Sequence, residues 1–350
     1  MAKEFKTLDQ LVDLLISRGV SAGNDAREAI MRESYYAIVN GYKDPFLDKK
    51  AMQSRANDVY AKGTRFQDIY NLFLFDRRMR LTVFPYLAQA ESIMKNAVVY
   101  SFCEANQEPD SYLERSAYAN HRDMLVPKGF KGDKLKEHSA NMARLMKIFN
   151  GKLSSSCKRD FVAHYLDTYG KVPLWVLQND LTFGNLSHFY QLQKRSVQNS
   201  ACKIVGEVSG TRMNPHDLLR AFTVLVGFRN ICAHDERLYC AEVAGANFSD
   251  MASWLRRALP KESSAQMELD IDSTILAYHE RIPSGVFCFV SEKMGLKAPE
   301  IYDDNANITV TIPAWLNARA VDAGVNFSQT MQSAIKAQLG IALLRLSKKF

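Results

Sequence analysis

Over the first 280 positions of this chain, apolar residues return every three or four places and few segments alternate as strands do. Side chains at that spacing share one face of a helix, and such helices must bury that face against one another. Thr7-Leu8-Asp9-Gln10 is a capping-box start, with Leu8, Leu11, Val12 and Leu15 on one stripe behind it. Phe66, Ile69, Tyr70 and Phe73 repeat the pattern up to a charged turn expected at Asp76-Arg77-Arg78. The helical reading resumes from Leu81 to Tyr100, with a kink expected at Pro85. Ser154-Ser155-Ser156 precedes a helix predicted from Cys157 to Tyr169, which Gly170 should stop. Asn214-Pro215 pairs a cap with a proline at the first helical position. Leu218, Leu219, Phe222, Leu225 and Val226 then carry an apolar stripe toward Arg229. The fold class is therefore mainly α, a bundle of antiparallel helices.

The texture changes near the C-terminus. Asn305 to Ile312 alternates polar and apolar residues, as a half-buried strand does. Pro313 opens a short helix through Asp322, Gly324 ends it, and Asn326-Phe327-Ser328-Gln329 begins another, with Phe327, Met331, Ile335 and Leu339 at helical spacing. Strand, helix and helix in about forty residues are too few for a core of their own, so such a unit normally pairs with a copy of itself. The expected organisation is a helical domain over residues 1–290, a linker over 291–306 and a small module over 307–345.

A net charge of +7 and a pI near 9.0 favour a polyanionic partner, nucleic acid first. The stretch Val126 to Lys134 holds Lys128, Lys131 and Lys134 beside two glycines, and reads either as a phosphate contact or as a solvated surface loop. No apolar run follows Met1 to Lys6 and none elsewhere could span a bilayer, so a cytoplasmic protein without a membrane partner is expected. The cysteines (Cys103, Cys157, Cys202, Cys232, Cys240, Cys288) form no C-x-x-C pair. They read as reduced, mostly buried thiols, with no metal site and no cofactor expected.

Arg229-Asn230-Ile231-Cys232-Ala233-His234 is the segment that carries chemistry. A histidine titrates near neutral pH, so it can take a proton from a ribose 2′-OH or give one to the leaving oxygen. An arginine is always charged and matches a phosphoryl group, so it can stabilise a five-coordinate transition state. Asn230 could orient the imidazole or bind a phosphate oxygen. The product of such a reaction is a 2′,3′-cyclic phosphate. Spacing alone decides nothing, because Arg159 and His164 repeat it and Arg115 and His121 are one residue longer. Five residues of straight helix also turn through about 140°, which puts Arg229 and His234 on different faces, while Asn230 and His234 share one. A working site needs a bend at the helix end or residues meeting across a dimer.

The segment resembles the R-N-x-x-A-H motif of HEPN domains, and its surroundings resemble the Abi-like (AbiD/AbiF) abortive-infection family. The likeness runs in order through Leu11 to Gly19, Tyr35 to Gly41, Gly63 to Arg80, Phe161 to Gly170, Pro173 to Tyr190 and Phe228 to Tyr239, and fades after Tyr239. The resemblance implies a HEPN helical fold and a homodimer whose two Arg–His motifs face each other. It implies metal-independent RNA cleavage in response to phage, or a toxin held in check by an antitoxin such as a small noncoding RNA. Carried over by residue, Arg229, Asn230 and His234 take the motif roles, and Arg159 and His164 are a secondary candidate. The final HEPN helix is expected within Met267 to His279 or Val286 to Val290. Trp175, Phe183 and Tyr190 read as core aromatics rather than base-stacking platforms.

Residues 307–341 resemble the ribbon–helix–helix tail of HicB-type antitoxins, in which paired strands enter the DNA major groove. In that likeness Asn307, Thr309 and Thr311 face bases, while Asn326 and Ser328 offer helix amides to a phosphate. The base-facing side carries no Arg or Lys, so a dimerisation clasp or an RNA-binding surface stands beside operator DNA. Three functions follow: a HEPN endoribonuclease, a non-catalytic HEPN scaffold that binds RNA, and a DNA-binding autoregulator acting through the tail.

Overall fold

A computed structural model describes residues 4–52, 58–154 and 159–296. These residues are mainly helical, and among them there is no strand. The residues of the expected ribbon–helix–helix module, Asn307, Thr309, Thr311, Asn326 and Ser328 included, lie outside the described residues.

Helices α1 (Leu8–Ser17) and α2 (Asn24–Glu33) open the chain, the first through the capping box expected at Thr7. After the short α3 (Lys49–Met52) comes α4 (Phe66–Ala105), a helix of 40 residues and about 60 Å. It is the axis of the bundle and packs against α2, α7 (Leu174–Leu177), α8 (Phe183–Gln191), α9 (Arg195–Ser209), α10 (Pro215–Ala233), α11 (Phe248–Ala258) and α12 (Lys261–Tyr278). Helices α5 (Lys134–Leu153) and α6 (Asp160–Tyr169) lie between α4 and α7 in sequence, and α13 (Ser284–Met294) closes the described chain. Both segments offered for a final helix are thus helical, and α13 runs past residue 290.

The length of α4 corrects the sequence reading at one point. Asp76-Arg77-Arg78 is not a turn but lies inside the helix, because Ile69, Leu72, Met79, Val83, Leu87, Ala90 and Met94 keep one buried stripe running through it. Asp76 and Arg80 occupy places on that stripe where an apolar residue would ordinarily sit, and each satisfies the other. The helix runs on from Leu81 to Tyr100 as expected, and within it lies Pro85. The proline is exposed, and the carbonyl it leaves unbonded belongs to the exposed Leu81, where water can serve.

Other details also differ. Helix α6 is described from Asp160, with Arg159 in an extended cap conformation and the expected start at Cys157 outside the described residues, and Gly170 ends it in the left-handed region as expected. Asn214 and Pro215 start α10 through a capping box with Asp217. Phe183 and Tyr190 are core residues, but Trp175 is 47% exposed and does not belong with them. The basic loop ends at Asp133, whose carboxylate caps the amides of Leu135 and Lys136, so Lys134 is already helical.

Candidate active site

Helix α10 carries the motif at its C-terminal end. His234 is the C-cap, and its amide donates to the Asn230 carbonyl at 2.9 Å, so the two residues stand on one face. Asp235 then takes a left-handed conformation (φ 59°) and the Glu236 amide returns to the Ile231 carbonyl at 3.1 Å, which closes a Schellman-type ending. The helix therefore ends in a bend, but the bend falls directly after His234 and leaves Arg229 and His234 on the different faces that their spacing gives them. A left-handed non-glycine residue costs on the order of 1 kcal/mol or more, so something must hold Asp235 there.

A buried polar clamp from α4 does so. Arg80 Nη2 donates to Asp235 Oδ1 at 2.6 Å, and Arg80 Nη1 reaches the Glu236 carbonyl at 3.1 Å and Asp76 Oδ2 at 2.5 Å. Asp76 accepts from the Tyr42 hydroxyl (2.7 Å) and from the amides of Leu238 (3.0 Å) and Tyr239 (2.6 Å). Asp76, Arg80 and Tyr42 are all buried. Burial raises the Asp76 carboxyl above its ordinary value, while the Arg80 guanidinium, the Tyr42 hydroxyl and both amides pull the other way. The chain after the motif is thus fixed on both sides of Arg237.

The motif side chains differ in how they are held. His234 and Asn230 are exposed. Among the described residues the His234 ring makes no hydrogen bond or ion pair. Arg229 is half-buried, with Nε donating to Glu91 Oε2 at 3.1 Å and Nη1 to Asn230 Oδ1 at 3.3 Å. Glu91 also pairs with Lys95 at 3.7 Å, and burial lowers the Lys95 ammonium. Cys232, within the motif, is no thiolate nucleophile, since burial pushes its thiol up to about 12. The one helix end thus presents a histidine, an amide and an aimed guanidinium, with a cleft of about 710 Å³ beside them walled by Ile231, Asp235, Arg237, Arg32 and the exposed Tyr36.

The secondary candidate does not make a comparable site. Arg159 caps α6 and pairs with the buried Asp180 at 3.2 Å, which also holds Lys152 at 3.1 Å. His164 points from the exposed side of α6 toward Thr168 and the rings of Tyr165 and Tyr169. Of the loop lysines, Lys134 lines one pocket and Lys128 another. Among the described residues no three His, Cys, Asp or Glu side chains come together as a metal-ligand set. No helix among them is long and apolar enough to cross a membrane.

Sequence reasoning passed over Asp76, Arg80, Tyr42 and Glu91. The first two left a signal, since their i,i+4 spacing sits within an apolar stripe. Nothing local marks Glu91, which meets Arg229 only through the crossing of α4 and α10.

Comparison with known proteins places most of the chain. The family model described as Abi-like protein matches residues 28–240, a span that runs from α2 through Tyr239, the last residue of the clamp. No curated protein and no solved structure matches the chain.

Proposed function

The chain belongs to the Abi-like protein family, which ties it to abortive infection, and from that premise we propose that it is a HEPN-type, metal-independent endoribonuclease. The observation that carries this reading is the motif-bearing end of α10, where an exposed His234 follows Asn230 by one turn and the Asp76–Arg80 clamp holds the residues directly after it. Neutral His234 takes the proton of a ribose 2′-OH as that oxygen attacks the adjacent phosphorus. The P–O5′ bond breaks, the departing 5′ oxygen takes a proton from water, the His234 imidazolium returns its proton to solvent, and a 2′,3′-cyclic phosphate remains. Arg229, aimed by Glu91, neutralises the charge that builds on the non-bridging oxygens, and Asn230 binds one of them.

The motif lies on an open surface rather than inside the neighbouring cleft, whose walls do not include His234 or Arg229. A second copy of the chain supplies the missing half, placing its Arg229 against the first copy's His234 in a two-fold homodimer. Control by an antitoxin, such as a small noncoding RNA, fits a nuclease whose groups are exposed when it is uncovered.

The test is a His234→Ala variant assayed on total RNA. We expect loss of cleavage by at least a hundredfold with folding intact, the scale of losing a general base. The parent should yield 2′,3′-cyclic phosphate ends and keep its activity in EDTA. Cleavage by the variant at the parental rate sinks the proposal, and activity lost on chelation contradicts it.

A further inference from the structure

The starts of three long helices meet far from the motif. Lys134 begins α5, Lys194 and Arg195 begin α9, and His216 lies in the first turn of α10. Together with Arg122 from the turn before α5, these residues line one pocket of about 540 Å³. It carries four permanent cations and a single carboxylate, Asp123, which is engaged by the Asn120 amide at 2.7 Å. Among the described residues, Arg122, Lys134, Lys194 and Arg195 form no ion pair.

Two further features point the same way. Of the three helix starts, α5 and α10 are capped by Asp133 and Asn214, whereas α9 has no side-chain cap, and the positive end of its dipole adds to the potential there. His216 Nδ1 is buried and has no hydrogen-bond partner among the described residues. No exposed aromatic ring lines the pocket: Tyr118 is buried, with its hydroxyl bonded to the Tyr112 carbonyl. The lining therefore suits phosphate and offers bases nothing to stack on.

We propose that this pocket grips the phosphate backbone of a single-stranded RNA at a second contact, about 27 Å from His234 by the rise of α10. The choice of RNA rests on the nuclease reading, but the phosphate chemistry does not. A strand held at both ends of α10 crosses the motif in an extended form, and its binding at the pocket is independent of sequence and sensitive to salt.

The experiment measures the anisotropy of a fluorescein-labelled single-stranded RNA against the full chain in the His234→Ala background, across a salt series. A Lys194→Ala/Arg195→Ala variant and, separately, Arg122→Ala are compared with a Lys62→Ala/Lys203→Ala control that removes equal charge from other exposed sites. Both pocket variants should weaken binding, the double variant at least tenfold. The double variant should also lower the slope of log K against log salt by about 1.4, the value for two lost phosphate contacts on a single strand. The control should leave both quantities unchanged. Parental affinity and slope in both pocket variants overturn the proposal, as does an equal loss in the control. So does pocket-dependent binding of AMP with unaltered RNA binding, since the pocket would then serve a free nucleotide. Failure of the nuclease reading looks different: RNA stays uncut by the His234-intact chain while its pocket-dependent binding persists.

Discussion

At the scale of single residues, the chain that follows the motif is anchored to a buried charged pair. Asp76 and Arg80 do not simply stabilise each other; they tie the left-handed Asp235 and the amides of Leu238 and Tyr239 to α4. Removing one partner leaves an uncompensated buried charge, which typically costs about 3–5 kcal/mol, whereas replacing both with apolar residues of similar volume is often neutral. Arg80→Met should therefore lower stability by several kcal/mol in urea unfolding. The double variant Asp76→Leu/Arg80→Met should recover much of that loss without recovering RNA cleavage. A double variant with both stability and parental activity would show that the clamp has no part in positioning His234.

At the scale of elements, the sequence was informative wherever one helix could be read by itself. The caps at Thr7 and Asn214, the stop at Gly170 and the stripe of α10 all depend on neighbours within a few residues. Asp76-Arg77-Arg78 misled because three charges in a row resemble a turn, and only the crossing of α4 with α10 and the following loop gives Asp76 its partners. The exposure of Trp175 was hidden for the same reason. Ion pairs between elements are equally invisible in one dimension. Arg77 on α4 holds Glu33 at the end of α2 through two hydrogen bonds of 3.0 and 2.7 Å. That hydrogen bonding lowers the Glu33 carboxyl from its ordinary 4.5, with burial opposing it. A carboxyl depressed in the folded state contributes stability above its unfolded value, and that contribution fades as pH falls through the folded value. Stability curves for the parent and Glu33→Gln should thus differ at pH 6 and converge below pH 4.5. A constant difference down to pH 3 would mean that the pair does not titrate with folding.

At the scale of the whole molecule, the question is whether one subunit holds a complete active site. Arg229 is tied to Glu91 and Asn230, while the His234 ring stands at the helix end with no partner among the described residues. The five-residue spacing separates their directions on the helix, and the bend after His234 turns the chain away rather than bringing the two side chains together. If the pair forms between two copies, inactive subunits can repair each other. Arg229→Ala supplies an intact His234, His234→Ala supplies an intact Arg229, and a mixed dimer holds one whole pair across its two-fold axis. Co-refolding the two variants at equal amounts gives half mixed dimers, each with one site of two, and hence about a quarter of parental activity. A site contained within one subunit predicts no recovery at all, because every copy in the mixture lacks either its arginine or its histidine. Activity that returns on mixing, and in proportion to the mixed dimer resolved by native mass spectrometry, assigns the chemistry to the assembled pair; a mixture as inert as its components confines it to the single chain.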